Sequence, residues 1–162
     1  MELRTDKIRA CFDRKIGNFT ELWNLSTNTN YVRCAPRDPL IELYGLKNGE
    51  RVKLSGHISD VAEAPDALIL SYDSFGKYDI SAKVTCRCEQ DRLVFSAEIC
   101  NHSTIDVTEI LMPHLGGIYL GDGLKDYLIY PHHAGDKTED PVYNYAENRM
   151  TFWRGCSVPF ED

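Results

Sequence analysis

The sequence predicts an all-β fold, an antiparallel β-sandwich that forms a single domain over residues 1–162. Two observations favour this fold class. Apolar and polar residues alternate with a period of two along much of the chain, and no segment keeps the helical period of 3.6 for three turns. Glycine and proline, which interrupt strands, recur at the spacing of short strands joined by turns.

The clearest element is a hairpin at 78–100. A polar turn at 89–91 separates two runs in which every second residue is apolar. Such runs predict a pair of strands with one buried face and one wet face. The residues predicted to share the buried face of their strand are Ile80, Ala82, Val84, Cys86 and Cys88 in the first run, and Leu93, Phe95, Ala97 and Ile99 in the second.

Shorter runs with the same alternation predict the other strands. They lie at Ile8–Phe12, Asn18–Trp23, Pro39–Tyr44, Arg51–Ser55, Ala67–Tyr72 and Asp106–Met112. The Asn- and Thr-rich run Asn24–Asn30 is expected to be a loop. The weakly periodic stretch Val142–Asp162 is either a closing strand or the start of a further segment.

Charge and composition indicate which partners and which cellular compartment to expect. The formal net charge is -7 and the basic residues form no cluster, so neither a nucleic-acid partner nor a membrane partner is expected. The charged start predicts a cytoplasmic protein, although a secreted chain without its leader would look the same. The six cysteines are expected to be small buried thiols, with disulfides as the alternative.

The segment 115–135 carries the residues most suited to binding a sugar. Tyrosine rings stack on the apolar C–H faces of a pyranose, while carboxylate and imidazole groups bind its hydroxyls. The alternative is that these residues serve only as turn and packing residues. The predicted carbohydrate-binding residues are Asp126, Tyr127, Tyr130, His132 and His133.

No catalytic centre, metal site or cofactor is expected. Adjacent residues on a strand point to opposite faces, so His132 and His133 would both reach one metal ion only from a loop. A third ligand would have to come from His114, Asp126 or Asp136, and no spacing selects one. Glycoside hydrolysis needs a pair of carboxylates, and the sequence does not single out any such pair. The chain also has no serine-hydrolase elbow or phosphate loop.

Two motifs resemble a known group of proteins. "AEICNHSTIDVTEILMPHLGGI" at 97–118 and "DYLIYPHHAG" at 126–135 are similar to segments in the N-terminal β-sandwich of bacterial glycoside-hydrolase-like proteins. The opening at 8–24 also looks like the first hairpin of such domains. Those sandwiches are similar to galactose mutarotases and precede a catalytic barrel.

The resemblance implies a non-catalytic sandwich that packs against a C-terminal catalytic barrel of a longer chain and supports carbohydrate binding. Catalytic carboxylates would then lie on the barrel, outside residues 1–162. Three alternatives remain open at this point. They are a free-standing carbohydrate-binding module, a small sugar epimerase or lyase with His132 or His133 as acid and base, and a purely structural or dimer-forming domain.

Overall fold

The computed structural model describes residues 1–115, 117–118, 127–130 and 136–139. The chain divides into two compact units, Met1–Ile118 and Tyr119–Asp162. The described residues contain strands and no helix, and every strand pairing is antiparallel. The all-β, sandwich-like fold class predicted from the alternation is therefore confirmed. Whether residues 1–162 form one domain stays a prediction.

Four strands near the start form the first sheet, in the order β1-β2-β3-β4. Strands β2 and β3 pair as a hairpin at the opening, 8–24, and β3 pairs in turn with β4 across the Asn- and Thr-rich run. That run was predicted to be only a loop, but its two ends belong to strands. The strands are β1 (Glu2–Arg4), β2 (Ile8–Phe12), β3 (Phe19–Asn24) and β4 (Thr29–Asn30).

The second sheet contains the long hairpin that alternation predicts most clearly. Its order is β10-β9-β8-β7, and Phe95 pairs with Cys86 in the middle of the hairpin. Cys86 and Cys88 lie on the buried face of β9, together with Ile80, Ala82 and Val84. The strands are β7 (Asp60–Glu63), β8 (Ala67–Tyr72), β9 (Ile80–Glu89) and β10 (Arg92–Asn101).

The third sheet has the order β11-β5-β6 and places a charged face towards solvent. Asn48 and Gly49, both at positive φ, connect β5 to β6 in a two-residue turn, as Asn-Gly pairs favour. Leu43 and Leu54 face the core, whereas Tyr44 and Lys53 pair on the opposite face. The strands are β5 (Glu42–Lys47), β6 (Glu50–Leu54) and β11 (Asp106–Leu111).

One apolar core joins these three sheets within Met1–Ile118. It includes Phe12 and Phe19 from the first sheet, Val84 from the second and Leu43 from the third. The Phe19 and Phe95 rings meet edge to face, with their centroids 6.1 Å apart, which links the first sheet to the second. Side chains from all three of these sheets therefore share one core.

The second unit contributes one described hairpin. Strand β12 (Tyr127–Tyr130) pairs with β13 (Asp136–Glu139), and Tyr127 lies opposite Glu139. The sequence-based strand predictions did not include either of them. Cys156 and the stretch Val142–Asp162 lie outside the described residues.

The prediction that the cysteines are buried thiols is right for two of the five described ones. Cys86 and Cys88 are buried, whereas Cys11 is half-buried and Cys34 and Cys100 are exposed. All five are free thiols. Burial raises the pKa of Cys86 to about 12 and also raises that of Cys88, so both stay protonated and unreactive at neutral pH.

Candidate functional site

The predicted carbohydrate-binding residues lie mostly outside the described part of the chain. Asp126, His132 and His133 are among the residues that the structure does not describe. Tyr127 and Tyr130 are the first and last residues of β12. The assignment of these five residues to a sugar site therefore stays a prediction.

The structure reveals a groove that the sequence did not point to, between the β2–β3 hairpin and the turn end of the β9–β10 hairpin. It encloses about 390 Å³, a size typical of sites for small molecules. Its walls are largely apolar and aromatic, with polar and charged side chains among them. Its lining includes the aromatic residues Phe19, Trp23, Tyr31 and Phe95 and the polar residues Lys7, Asn24, Asp91 and Arg92.

The aromatic side chains reach the groove from separate elements. Trp23 is on β3, Tyr31 directly follows β4 and Phe95 is on β10. Trp23 is oriented by its indole N–H, which donates to Glu21 Oε2 at 2.8 Å, and Phe95 is held against the buried Phe19 ring. Trp23, Tyr31 and Phe95 are each half-buried, so they combine contact with the core and partial exposure.

Polar groups stand beside these rings. The Asn24 amide donates to the Tyr31 hydroxyl at 3.5 Å, and Lys7 Nζ lies 3.9 Å from Asp91 Oδ2. The Thr5 hydroxyl donates to the Gln90 carbonyl at 2.9 Å and ties the β1–β2 turn to the β9–β10 turn. An amide, a hydroxyl, a carboxylate and two cationic groups can thus bind a ligand's hydroxyls near the aromatic surface.

A second polar cluster centres on Glu42 at the start of β5. This carboxylate is 3% exposed, and acidic side chains are almost never buried so fully unless they are paired. It accepts a short hydrogen bond from Lys53 at Oε1 and one of 3.1 Å from the Tyr44 hydroxyl at Oε2. His114 Nδ1 lies 3.6 Å from Oε1.

The partners of Glu42 determine its ionisation. Burial by itself would raise the pKa of this carboxyl, but hydrogen bonds from Lys53 and Tyr44, with the charges of Lys53 and His114, lower the pKa overall. The hydrogen bond to Glu42 raises the pKa of Lys53. Both groups are therefore charged at neutral pH, and both carboxylate oxygens already have donors.

Asn18 holds the loops beside Glu42 in place. Its side chain is fully buried, and its amide nitrogen donates to the Asp38 carbonyl at 2.9 Å and to the His114 carbonyl at 2.8 Å. One side chain thereby joins the β2–β3 connection, the segment before β5 and the segment after β11. Asn18 is the first residue of the strand predicted at Asn18–Trp23, but its long-range contacts have no sequence signature.

Within residues 1–115, 117–118 and the two strands of the second unit, no three His, Cys, Asp or Glu side chains gather as metal ligands would. No described helix could span a membrane. The metal site considered at His132 and His133 lies outside the described residues.

Comparisons with known proteins add no further assignment: the chain matches no family model, no curated protein and no solved structure.

Proposed function

We propose that this chain is a carbohydrate-binding β-sandwich and that a sugar occupies the groove beside Trp23, Tyr31 and Phe95. One observation carries the proposal: half-buried aromatic rings from three separate elements meet hydrogen-bonding side chains in one groove of about 390 Å³. Apolar ring faces suit the C–H faces of a pyranose, and the neighbouring amide, hydroxyl and charged groups suit its hydroxyls. The groove volume accommodates one or two sugar rings.

The proposed role is binding without catalysis. Glycoside hydrolysis ordinarily requires two carboxyl groups that flank the bond to be broken. Asp91 is the one carboxylate among the described residues that line the groove, and Lys7 faces it. A groove whose described lining holds a single carboxyl group fits an accessory domain, as the resemblance to glycoside-hydrolase-like sandwiches implies.

The proposed context is a longer glycoside-hydrolase-like chain whose catalytic barrel packs against this domain. A docking face for such a barrel needs exposed apolar side chains. Leu46 and Leu111 are 42% and 36% exposed and lie on the same face of the third sheet, where their neighbours include Tyr44. They lie towards opposite ends of β5, because Leu111 is opposite Glu42 and Leu46 is opposite Asp106, so they offer a barrel two separate aliphatic contacts.

The test is titration calorimetry of the intact chain with a panel of neutral mono- and oligosaccharides. We expect at least one sugar to bind with a Kd below about 1 mM, equivalent to about −4 kcal/mol. Tyr31→Ala removes a half-buried ring from the groove and should weaken binding about tenfold, a loss of about 1.4 kcal/mol. Tyr78→Ala is the matched control, because Tyr78 is half-buried but does not line the groove.

Two outcomes would overturn the proposal. The first is that no sugar of the panel binds to a folded chain. The second is that a sugar binds but Tyr31→Ala and Tyr78→Ala lower its affinity equally, which would place the sugar outside the groove. A chain that binds sugar on its own would also satisfy the criterion for a free-standing module, and only the length of the native protein separates that role from an accessory domain.

A further inference from the structure

A second cavity lies next to Glu42 and is independent of the aromatic groove. It encloses about 250 Å³ between the β2–β3 connection, the segment before β5 and the end of β6. Tyr72, at the end of β8, also lines it. The two cavities share no lining residue.

The Tyr72 hydroxyl is the first observation that points to a ligand. Tyr72 is 1% exposed, and its hydroxyl has no hydrogen-bond partner within the described residues. Burial raises the pKa of Tyr72 to about 12, so the hydroxyl keeps its proton and is a donor without an acceptor. A buried hydroxyl without a hydrogen-bond partner lowers the stability of the folded protein. An acceptor oxygen bound in the adjacent cavity would remove that cost.

Charge is the second observation. Three cationic side chains, Lys15, Arg37 and Lys53, line the cavity, and so do two carboxylates, Asp38 and Glu42. The Glu42 carboxylate already accepts hydrogen bonds from Lys53 and Tyr44. Its negative charge therefore neutralises the positive charge of Lys53 within the cavity lining.

The remaining cations are available to an anion. Lys15 and Arg37 are exposed and form no ion pair with another described residue, and His57 adds a further nitrogen donor or acceptor. With His57 neutral, the lining carries a net charge of plus one, in contrast to the net charge of -7 on the whole chain. An anion would therefore be attracted to this cavity although the protein as a whole repels it.

We propose that the cavity beside Tyr72 binds a small hydroxy-carboxylate, up to the size of a single sugar acid. Arg37 would bind the carboxylate through its planar guanidinium, with Lys15 as a second cation. A hydroxyl oxygen of the ligand would accept the hydrogen bond from Tyr72. The volume of about 250 Å³ is below the range for drug-sized ligands and suits one six-membered ring.

The probe pair is D-glucuronate and D-glucose, which share a ring and differ in the carboxylate. Titration calorimetry and thermal unfolding of the intact chain should show binding and stabilisation by glucuronate, measured at fixed ionic strength. Glucose should bind this cavity at least about tenfold more weakly. To separate the two cavities, the comparison is repeated in the Tyr31→Ala variant, which should retain glucuronate binding.

Two substitutions and their matched controls locate the site. Arg37→Gln should weaken glucuronate binding about tenfold or more, whereas Arg4→Gln removes an exposed positive charge that is not part of the cavity lining and should leave glucuronate binding unchanged. Tyr72→Phe should weaken binding several-fold while the folded protein keeps or gains stability, because the unpartnered hydroxyl is gone. Tyr78→Phe is its control.

The proposal is overturned if glucuronate does not bind, if glucose binds the Tyr31→Ala variant equally well, or if Arg4→Gln weakens binding as much as Arg37→Gln. Failure here would leave sugar binding in the aromatic groove untouched, because its test uses neutral sugars and the Tyr31 variant. Conversely, loss of neutral-sugar binding would not affect the glucuronate result.

Discussion

Glu42 is a buried carboxylate that stays charged because of the side chains packed around it. It lies between the core residues Ile41 and Leu43, yet its side chain is on the opposite face of β5 from Leu43. Lys53, Tyr44 and His114 cover it there, and together they leave the carboxylate charged and buried. Such a group stabilises the fold only while its partners stay in place.

Glu42→Gln should lower the free energy of unfolding at pH 7 by about 1–3 kcal/mol, since it weakens two hydrogen bonds to a charged acceptor. The effect should depend on pH. Because folding lowers the pKa of Glu42, its contribution is complete above the ordinary value of 4.5 and is lost as the pH falls through the folded value. The difference in the free energy of unfolding between wild type and Glu42→Gln should therefore disappear as the pH falls below 4.5.

Urea unfolding at a series of pH values between neutral and acid measures this difference. Glu109→Gln is the matched control, because Glu109 forms an ion pair with Arg51 on the same sheet face but in an exposed setting. Exposed pairs contribute little to stability. If both variants lost the same stability, or if the gap for Glu42→Gln persisted at low pH, the burial of a charged carboxylate would not be the cause.

At the residue scale, sequence reasoning could have found Glu42 but not the groove. An acid inside the apolar run Pro39–Tyr44 is unusual, and the Asn48-Gly49 turn fixes a register that pairs Tyr44 with Lys53. Together these place a lysine diagonally across from the carboxylate. The pairing of β3 with β4 brings Trp23 and Tyr31 together, but Phe95 joins them only through packing between sheets, which leaves no local pattern.

At the scale of elements, period-two alternation predicted the long strands well because each has one buried face. Strand β8 has the predicted bounds, and the β9–β10 hairpin has the predicted faces. Strand β5 runs further than expected, to Lys47, because Gly45 lies inside the strand and does not end it. Short, largely polar strands such as β1, β4 and β7 have too few buried positions for a pattern to show.

Gly45 has a specific role in the third sheet. Strand β11 approaches β5 closely at the irregularity between Val107 and Glu109, where Gly45 pairs with Val107. A Cβ atom on Gly45 would lie 2.7 Å from the Asp106 carbonyl oxygen and 3.1 Å from the Ile105 side chain. The carbonyl belongs to the backbone, so a side chain at position 45 would have to displace β11 itself.

Gly45→Ala should therefore destabilise the protein by about 1–3 kcal/mol and speed the hydrogen exchange of the β11 amides. The comparison is Gly49→Ala in the turn between β5 and β6. Gly49 has a φ of 81° and open space around its Cβ position, so that variant should show only backbone strain of about 1–2 kcal/mol and leave β11 exchange unchanged. Unchanged β11 exchange in Gly45→Ala would refute the close-approach explanation.

At the scale of the whole molecule, the core suggests which part of the chain folds by itself. The described core cluster runs from Leu3 to Ile105, and the partly buried residues around it extend to Ile118. The unit Met1–Ile118 thus contains all three sheets and both cavities. A chain of this length can bury a stable core without help from disulfides, which fits its free thiols.

A fragment of residues 1–118 should therefore fold cooperatively by itself. Circular dichroism should show a β-rich spectrum with a single sharp thermal transition, and calorimetry should show the same neutral-sugar and glucuronate binding as the intact chain. The fragment with Phe19→Ala is the control, because loss of a fully buried ring should cost about 3–5 kcal/mol and lower the transition temperature markedly. A fragment that stayed unfolded would show that residues 119–162 supply part of the core. A folded fragment without sugar binding would instead move the site towards Tyr127, Tyr130, His132 and His133, where the sequence first placed it.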